Sequence, residues 1–240
     1  MRNVLLIARR ELAAYLRTMS GYVIIAGILF IHSLLFNAFA LGAGNRQSSD
    51  VISDFFYFSS GCTMACAILL SMRLLAEERQ TGTLNLLYSS PVRDIEIVLG
   101  KYLSGLGFLA LYLLSTTYMP LLVMAFGKVS FGQLATGYFG LMLVGSACIA
   151  LGTFGSSLTR SQVLAAIITT VLVVFLVVAW LLPRVTDRPL NEILGVFAIY
   201  PHFKPFETGL IHLKHVAYYL LITYVGLFGA TRVLEARRWR

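Results

Sequence analysis

Cys62 and Cys66 stand one helical turn apart with Met64 and Met72 close by, a set of soft ligands suited to a metal such as Cu(I). His212 and His215 also share a helical face, but no third ligand is evident and Lys214 adds positive charge that disfavours a cation. Cysteine in an apolar helix more often packs as a small hydrophobe, and Cys148 is remote, so no metal site and no disulfide framework is assigned. Catalytic groups are equally sparse. There is no H-E-x-x-H, no intramembrane Asp pair and no Ser/His arrangement. Gly100-Lys101 and Gly127-Lys128 lack the upstream glycine spacing and the following Ser or Thr of a phosphate-binding loop. The segment that stands out chemically is Glu77-Glu78-Arg79-Gln80-Thr81-Gly82-Thr83-Leu84-Asn85-Leu86-Leu87-Tyr88-Ser89-Ser90-Pro91. Hydrocarbon cannot solvate its adjacent carboxylates and guanidinium, yet its leucines need apolar cover, which a protein partner would supply.

The elements that must carry this segment are membrane helices. With 58% hydrophobic residues, 12% charged residues and a mean hydropathy of +0.80, the chain reads as one polytopic, all-α membrane domain over 1–240. Six apolar stretches are long enough to span: 22–41, 55–75, 98–126, 134–158, 163–182 and 216–234. The first reaches Ala38-Phe39-Ala40, which resembles a leader-peptidase site, but its polar leader and spanning length argue that it is retained. With the N-terminus inside, thirteen Lys and Arg fall on inner segments and six on outer ones. That bias places both termini and the Glu77 run in the cytoplasm and accounts for the net charge of +8 without nucleic acid.

Residues 1–21 read as an interfacial helix, with Val4, Leu5, Ala8, Leu12, Tyr15 and Leu16 on one face and Arg2, Arg9, Arg10 and Arg17 opposite, meeting lipid phosphates. In the coupling segment, 77–94, Thr81-Gly82-Thr83 offers a hydroxyl N-cap to a short helix carrying Leu84, Leu87 and Tyr88. Ser89-Ser90-Pro91 breaks that helix, and Asp94 and Glu96 favour a new N-terminus. The result is helix, elbow, helix: a rigid projection that transmits a partner's motion, or an interfacial helix resting on lipid.

Few polar groups lie in the spans, chiefly His32, Asn37, Thr63, Ser71, Thr116, Thr117, Thr169 and Thr170, and no buried carboxylate is apparent. An external energy source and an amphiphilic, lipid-linked or polymeric cargo fit such a lining better than ion coupling. Gly152 with Ser156, and Gly226 with Ala230, permit close helix packing or a dimer seam, and Pro120 is expected to kink the third span. The outer connector, 183–215, holds Pro183, Pro189, Pro201 and Pro205 around an apolar run over 193–200 too short to span. It reads as an outer gate with Phe197, Tyr200, Phe203 and Phe206 as contacts, or as an aromatic belt.

The run from Glu77 to Leu84 followed by Ser89-Ser90-Pro91-Val92, with Arg9-Arg10-Glu11-Leu12 and Ser20-Gly21-Tyr22-Val23, resembles the ABC-2 type transporter permeases. Tyr200, His202-Phe203, Phe206, Gly209, Ile211, Val216, Tyr218 and the tail Leu234-Glu235-Ala236-Arg237-Arg238-Trp239 are similar to the gliding-motility-associated subgroup. The resemblance implies a multi-pass subunit of the bacterial inner membrane, an exporter half that pairs with a second copy or a paralogue. It further implies that ATP-Mg is bound by a separate cytoplasmic ATPase, this chain holding no cofactor of its own. Glu77, Glu78, Arg79, Thr81, Gly82, Thr83, Leu84, Leu87, Ser90 and Pro91 then couple to that ATPase, the charged residues as shoulders and the leucines as buried anchors. The other classes to weigh are a non-transporting anchor or mechanical or regulatory subunit of an envelope machine, with or without an accessory envelope protein, and a polytopic membrane enzyme.

Overall fold

The computed structural model describes residues 2–41, 48–82, 92–127, 129–180 and 195–238, and among them every regular element is helical. α1 (Arg2–Arg17) turns at Thr18 into α2 (Met19–Leu35), which loosens into a π-helical stretch over Phe36–Leu41. α3 (Ser48–Leu74) breaks at Leu75 into the short α4 (Ala76–Gln80). α5 (Asp94–Thr116) and α6 (Tyr118–Phe126) follow, then α7 (Phe131–Leu158), α8 (Gln162–Val178), α9 (Ile199–Glu207) and α10 (Leu213–Arg238).

Among the described residues, five helices are long and apolar enough to cross a membrane: Met19–Phe39, Ser48–Gln80, Asp94–Ala125, Phe131–Leu158 and Leu213–Arg237. The sixth expected span, 163–182, contains the 17-residue α8 and then runs outside the described residues. α7 is the central post, contacting α3, α5, α8, α9 and α10. Its small residues allow this. A Cβ on Gly152 would strike the Ser71 side chain of α3, and a Cβ on Gly226 of α10 would stand 2.8 Å from the Ala150 backbone of α7. Both small-residue positions are therefore occupied by packing within the chain.

Pro120 lies in the first turn of α6, three residues after the break at Thr117. Its ring excludes the carbonyl of Thr116 from a regular ladder, and the Thr117 amide turns back to Leu114 O at 3.2 Å instead. Two groups of polar side chains inside the bundle are paired across helices, while Ser71, Thr153 and Thr169 bond to carbonyls of their own helices. His32 of α2 meets Ser59 Oγ of α3 at 2.8 Å and Tyr112 Oη of α5 at 3.2 Å, and stacks on Phe55. Tyr102, Ser146 and Thr223 form a second chain through α5, α7 and α10, at 2.8 and 3.1 Å. Each such bond removes an unsatisfied polar atom from the apolar interior. Cys62, Cys66 and Cys148 are buried free thiols, and among the described residues no group of three His, Cys, Asp or Glu is disposed to hold a metal.

Candidate functional site

The charged end of the bundle gathers α1, α4, the start of α5 and the ends of α7 and α10. Its centre is Lys101 of α5, only 1% exposed. Its Nζ lies 2.9 Å from Glu78 of α4 and 3.6 Å from Glu11 of α1, and Arg10 completes the group at 2.8 Å from Glu11 and 3.7 Å from Glu78. Three elements are thus joined through one ammonium. The carboxylates it balances, Glu11 and Glu78, are 67 residues apart in the chain, so the clasp fixes tertiary position rather than helix content.

Around the clasp, Arg73 grips Glu77 bidentately, with both N···O distances 2.8 Å, and also donates to Ser20. The Arg73 guanidinium sits 5.9 Å from the Tyr15 ring centre, and the Tyr15 hydroxyl donates to Leu70 O at 3.2 Å. Burial pushes the Tyr15 phenol above its ordinary range, while the Glu11 carboxylate beside Arg10 pushes that guanidinium up. These groups line a half-open cavity of about 150 Å³ between Glu11, Tyr15, Thr18, Arg73, Glu78 and Lys101.

The break between α3 and α4 has a specific cause. Ser156 of α7 inserts its hydroxyl into the helix ladder, accepting from the amides of Leu75 and Ala76 at 3.0 and 2.8 Å and donating to Met72 O at 3.4 Å. α4 leaves α3 at that point. Arg79 then reaches the last carbonyls of α7, at Ser157 and Thr159, and Arg237 of α10 takes Leu158 O at 2.7 Å. Cations at the carbonyl end of a helix satisfy its orphan acceptors and oppose its dipole favourably.

α1 lies against this assembly. Ile7 meets α5 where Gly100 lacks a side chain, a Cβ there falling 2.7 Å from the Ile7 side chain. Leu12 contacts Gly107, and Asn3 donates to Glu96 at 3.3 Å. The buried stripe is therefore rotated from the expected apolar face. Ile7 and Tyr15 are buried and Glu11 points into the clasp, whereas Leu5 and Leu16 are exposed beside the exposed Arg2, Arg9, Arg10 and Arg17. Periodicity located the apolar side, but the ion pair of Glu11 decides which edge turns inward.

Of the residues expected to couple to an ATPase, Glu77, Glu78 and Arg79 belong to this site. Thr81 closes α4, its hydroxyl donating to Glu77 O at 2.9 Å, and Gly82 at φ +75° ends the helix in the left-handed conformation. The same Thr-Gly pair that reads as the start of a helix over 84–88 thus terminates the one before it. Thr83, Leu84, Leu87, Ser90 and Pro91 lie outside the described residues. Beyond them, α5 opens as its acids suggest: Asp94 and Glu96 occupy the first turn, and Glu96 accepts the Arg93 amide at 3.2 Å.

At the opposite end, residues 193–194 lie outside the described residues, and the apolar run of the connector is helical over 195–197 and, after a break at Ala198, continues into the helix Ile199–Glu207. Pro201 falls in its first turn, where no amide partner is required. Phe203 and Phe206 are fully buried, wedged over Gly140 of α7. Tyr200 instead faces a groove of about 520 Å³ between α2, α3, α8 and α9, lined by Ile31, Cys62, Val177 and Trp180 among others. Its ring meets Tyr57 and Trp180 edge-on, both at 5.2 Å between centres. Burial pushes the Tyr200 phenol up to about 12. Phe197 is partly exposed, and its carbonyl accepts the Tyr218 hydroxyl at 2.6 Å. The four aromatic residues therefore divide into two buried wedge residues, one that lines the groove and, in Phe197, one exposed side chain whose backbone is tied to α10.

The sequence reading left Lys101 and Ser156 out of the site. In the sequence Lys101 stands out only as a cation near the start of the third span that fails the phosphate-loop pattern, and Ser156 only as a small residue. No functionally curated protein matches the chain. The sequence model of the ABC-2 family transporter proteins matches residues 41–185, which contain α3, α4, α5, α6, α7 and α8. With more than half of its length matched and its bundle of apolar helices, the chain belongs to the ABC-2 transporter family, as a multi-pass membrane permease subunit.

Proposed function

We propose that this subunit is the membrane half of an ABC-2 exporter, driven by a separate cytoplasmic ATPase that engages residues 77–91. Permeases of this family work with a cytoplasmic ATPase and are not themselves catalytic. The observation that carries the reading is the Glu11–Glu78–Lys101 clasp. A segment that receives a push must be tied to the helices it moves, and here α4 is held to α1 and α5 by charge and to α7 through Ser156 and Arg79. In this mechanism Glu77, Glu78 and Arg79 form the root of the lever, and Leu84 and Leu87 anchor its tip in the ATPase. Nucleotide-driven closure of the ATPase pair carries the lever inward and tilts α3 and α5.

The Lys and Arg bias supports both termini lying on the cytoplasmic side, in this reading that of a bacterial inner membrane, where α1 meets anionic lipid. A second copy or a paralogue supplies the other half. The apolar groove beneath Tyr57, Trp180 and Tyr200 suits the hydrocarbon part of an amphiphile, and Tyr200 stands at its outer mouth, with Phe197 two residues from the groove-lining Ile199. The deciding experiment is co-purification in detergent with the ATPase encoded beside the gene. Replacing Leu84 and Leu87 together by aspartate is expected to release the ATPase while the permease remains folded. Undiminished co-purification would overturn the coupling assignment. A pure anchor predicts no ATP-driven change in the distance between outer residues, and such a change would exclude it.

A further inference from the structure

The end of the bundle opposite the ionic clasp holds a row of imidazoles. His202 of α9 places Nδ1 2.8 Å from Nδ1 of His215 in the first turn of α10. Their ring centres are 5.0 Å apart, and the His212 ring is centred 5.7 Å from His215 on the link between the two helices. Tyr218, one turn along α10, stacks on His202 at 4.0 Å between centres and holds the ring in place. His202 is 8% exposed. The three rings form a row rather than a cage, in keeping with the lack, among the described residues, of any trio disposed to hold a metal.

Two Nδ1 atoms at this distance need one N–H donor and one lone-pair acceptor. The neutral pair satisfies that. So does a pair with one added proton, because the proton goes to the far nitrogen of the donor ring and the bond becomes charge-assisted. A second proton has only the accepting Nδ1 left, and two N–H groups then face each other across 2.8 Å. We propose that the His202–His215 pair is a proton-operated latch, holding α9 against α10 until both rings become imidazolium and then releasing it.

The surroundings bear on both protonation steps. Lys214 on α10 and His212 on the link oppose added positive charge on the pair, while Lys204 and Glu207 on α9 and Asp54 on α3 form a separate group of interacting charges. Tyr57 and Tyr200 lie on the α3 side, and Tyr218 and Tyr219 on the α10 side. Burial, then His215, holds the His202 imidazole below its ordinary value, so the latch stays closed through neutral pH. The segment it controls is the one that carries Tyr200 to the groove mouth.

The test is amide hydrogen exchange in the full-length protein in lipid nanodiscs, corrected for the intrinsic pH dependence of exchange, between about pH 7.5 and about pH 5. Exchange at residues 202–208 should rise about fivefold on acidification, the size expected when one hydrogen bond of ordinary net strength opens. His202→Gln and His215→Gln should each abolish the step, their folding checked by unchanged exchange in α7. Glu207→Gln, which removes the other titrating group of α9, should leave the step in place. A step that survives in both histidine variants, or no step in the native chain, overturns the latch. So does saturable binding of Zn²⁺ that depends on both histidines, which would make the pair a metal site instead.

Discussion

Replacing Lys101 by methionine removes the cation at the centre of the clasp while keeping a side chain of similar length. At 2.9 and 3.6 Å, and with an effective dielectric constant of about 20, the attraction of each carboxylate for the ammonium is about 5–6 kcal/mol. Desolvation of three charges and repulsion between Glu11 and Glu78 offset part of this, and Arg10 remains beside both carboxylates. Removing one partner from a largely buried cluster of this kind costs about 3 kcal/mol. In a chain of this size that lowers the unfolding midpoint by about 6–12 °C. Differential scanning fluorimetry of the protein in detergent reads the shift directly. Adding Glu78→Gln to Lys101→Met should recover about half of the loss, because the uncompensated negative charge that drives it is then reduced. A shift below about 2 °C, or a double variant whose loss equals the sum of the two single losses, would refute the clasp as the tie between α1, α4 and α5.

Ser156→Ala leaves the amides of Leu75 and Ala76 without their acceptor, and should cost about 1–3 kcal/mol and speed exchange at those two amides, whereas Ser161→Ala, at the start of α8, should not. Gly152→Val drives a side chain into Ser71 and should destabilise by about 1–3 kcal/mol, with partial recovery when Ser71 is changed to Gly; equal stability of the two variants would refute the contact. Glu207, raised to about 7 by burial, favours the protonated form in the folded state. Its contribution to stability is present below its ordinary value and is lost as pH rises through about 7, so Glu207→Gln should flatten the pH dependence of the unfolding midpoint in that window. Arg79→Gln removes the cation from the end of α7 and should leave ATP hydrolysis by the partner complex intact while reducing ATP-driven distance changes across the bundle; unchanged distance changes would show that α7 is not part of the linkage.

Local rules carried the reading furthest where the partner of a residue is its near neighbour. Asp94 and Glu96 announce a helix start because the amides they serve are within one turn, and Pro120 announces a break because its ring acts on the carbonyl four residues earlier. The buried pairings were not legible. Nothing in the spacing of Glu11, Glu78 and Lys101 marks them as neighbours, and only the packing of α1 on α5 brings the first of them inward. His202 and His215 show the same limit, since the ligand-like partner for His215 sits on another helix and not on its own face. Thr81 and Gly82 were ambiguous for a different reason: a hydroxyl and a glycine suit either end of a helix, and the choice here falls to the α4 carbonyl at Glu77.

The Ser156 hydroxyl gives α3 and α4 a fixed angle, and with it a mechanical advantage. Tyr57 lies 17 residues, or about 26 Å, along α3 from its charged end at Leu74, so a tilt of about 5° at that end carries it through about 2 Å. Its ring rests edge-on against Tyr200. A displacement of that size is enough to open an edge-on ring contact. Motion too small to disturb the central packing of α7 is therefore large enough, by leverage alone, to separate the two tyrosines at the groove mouth.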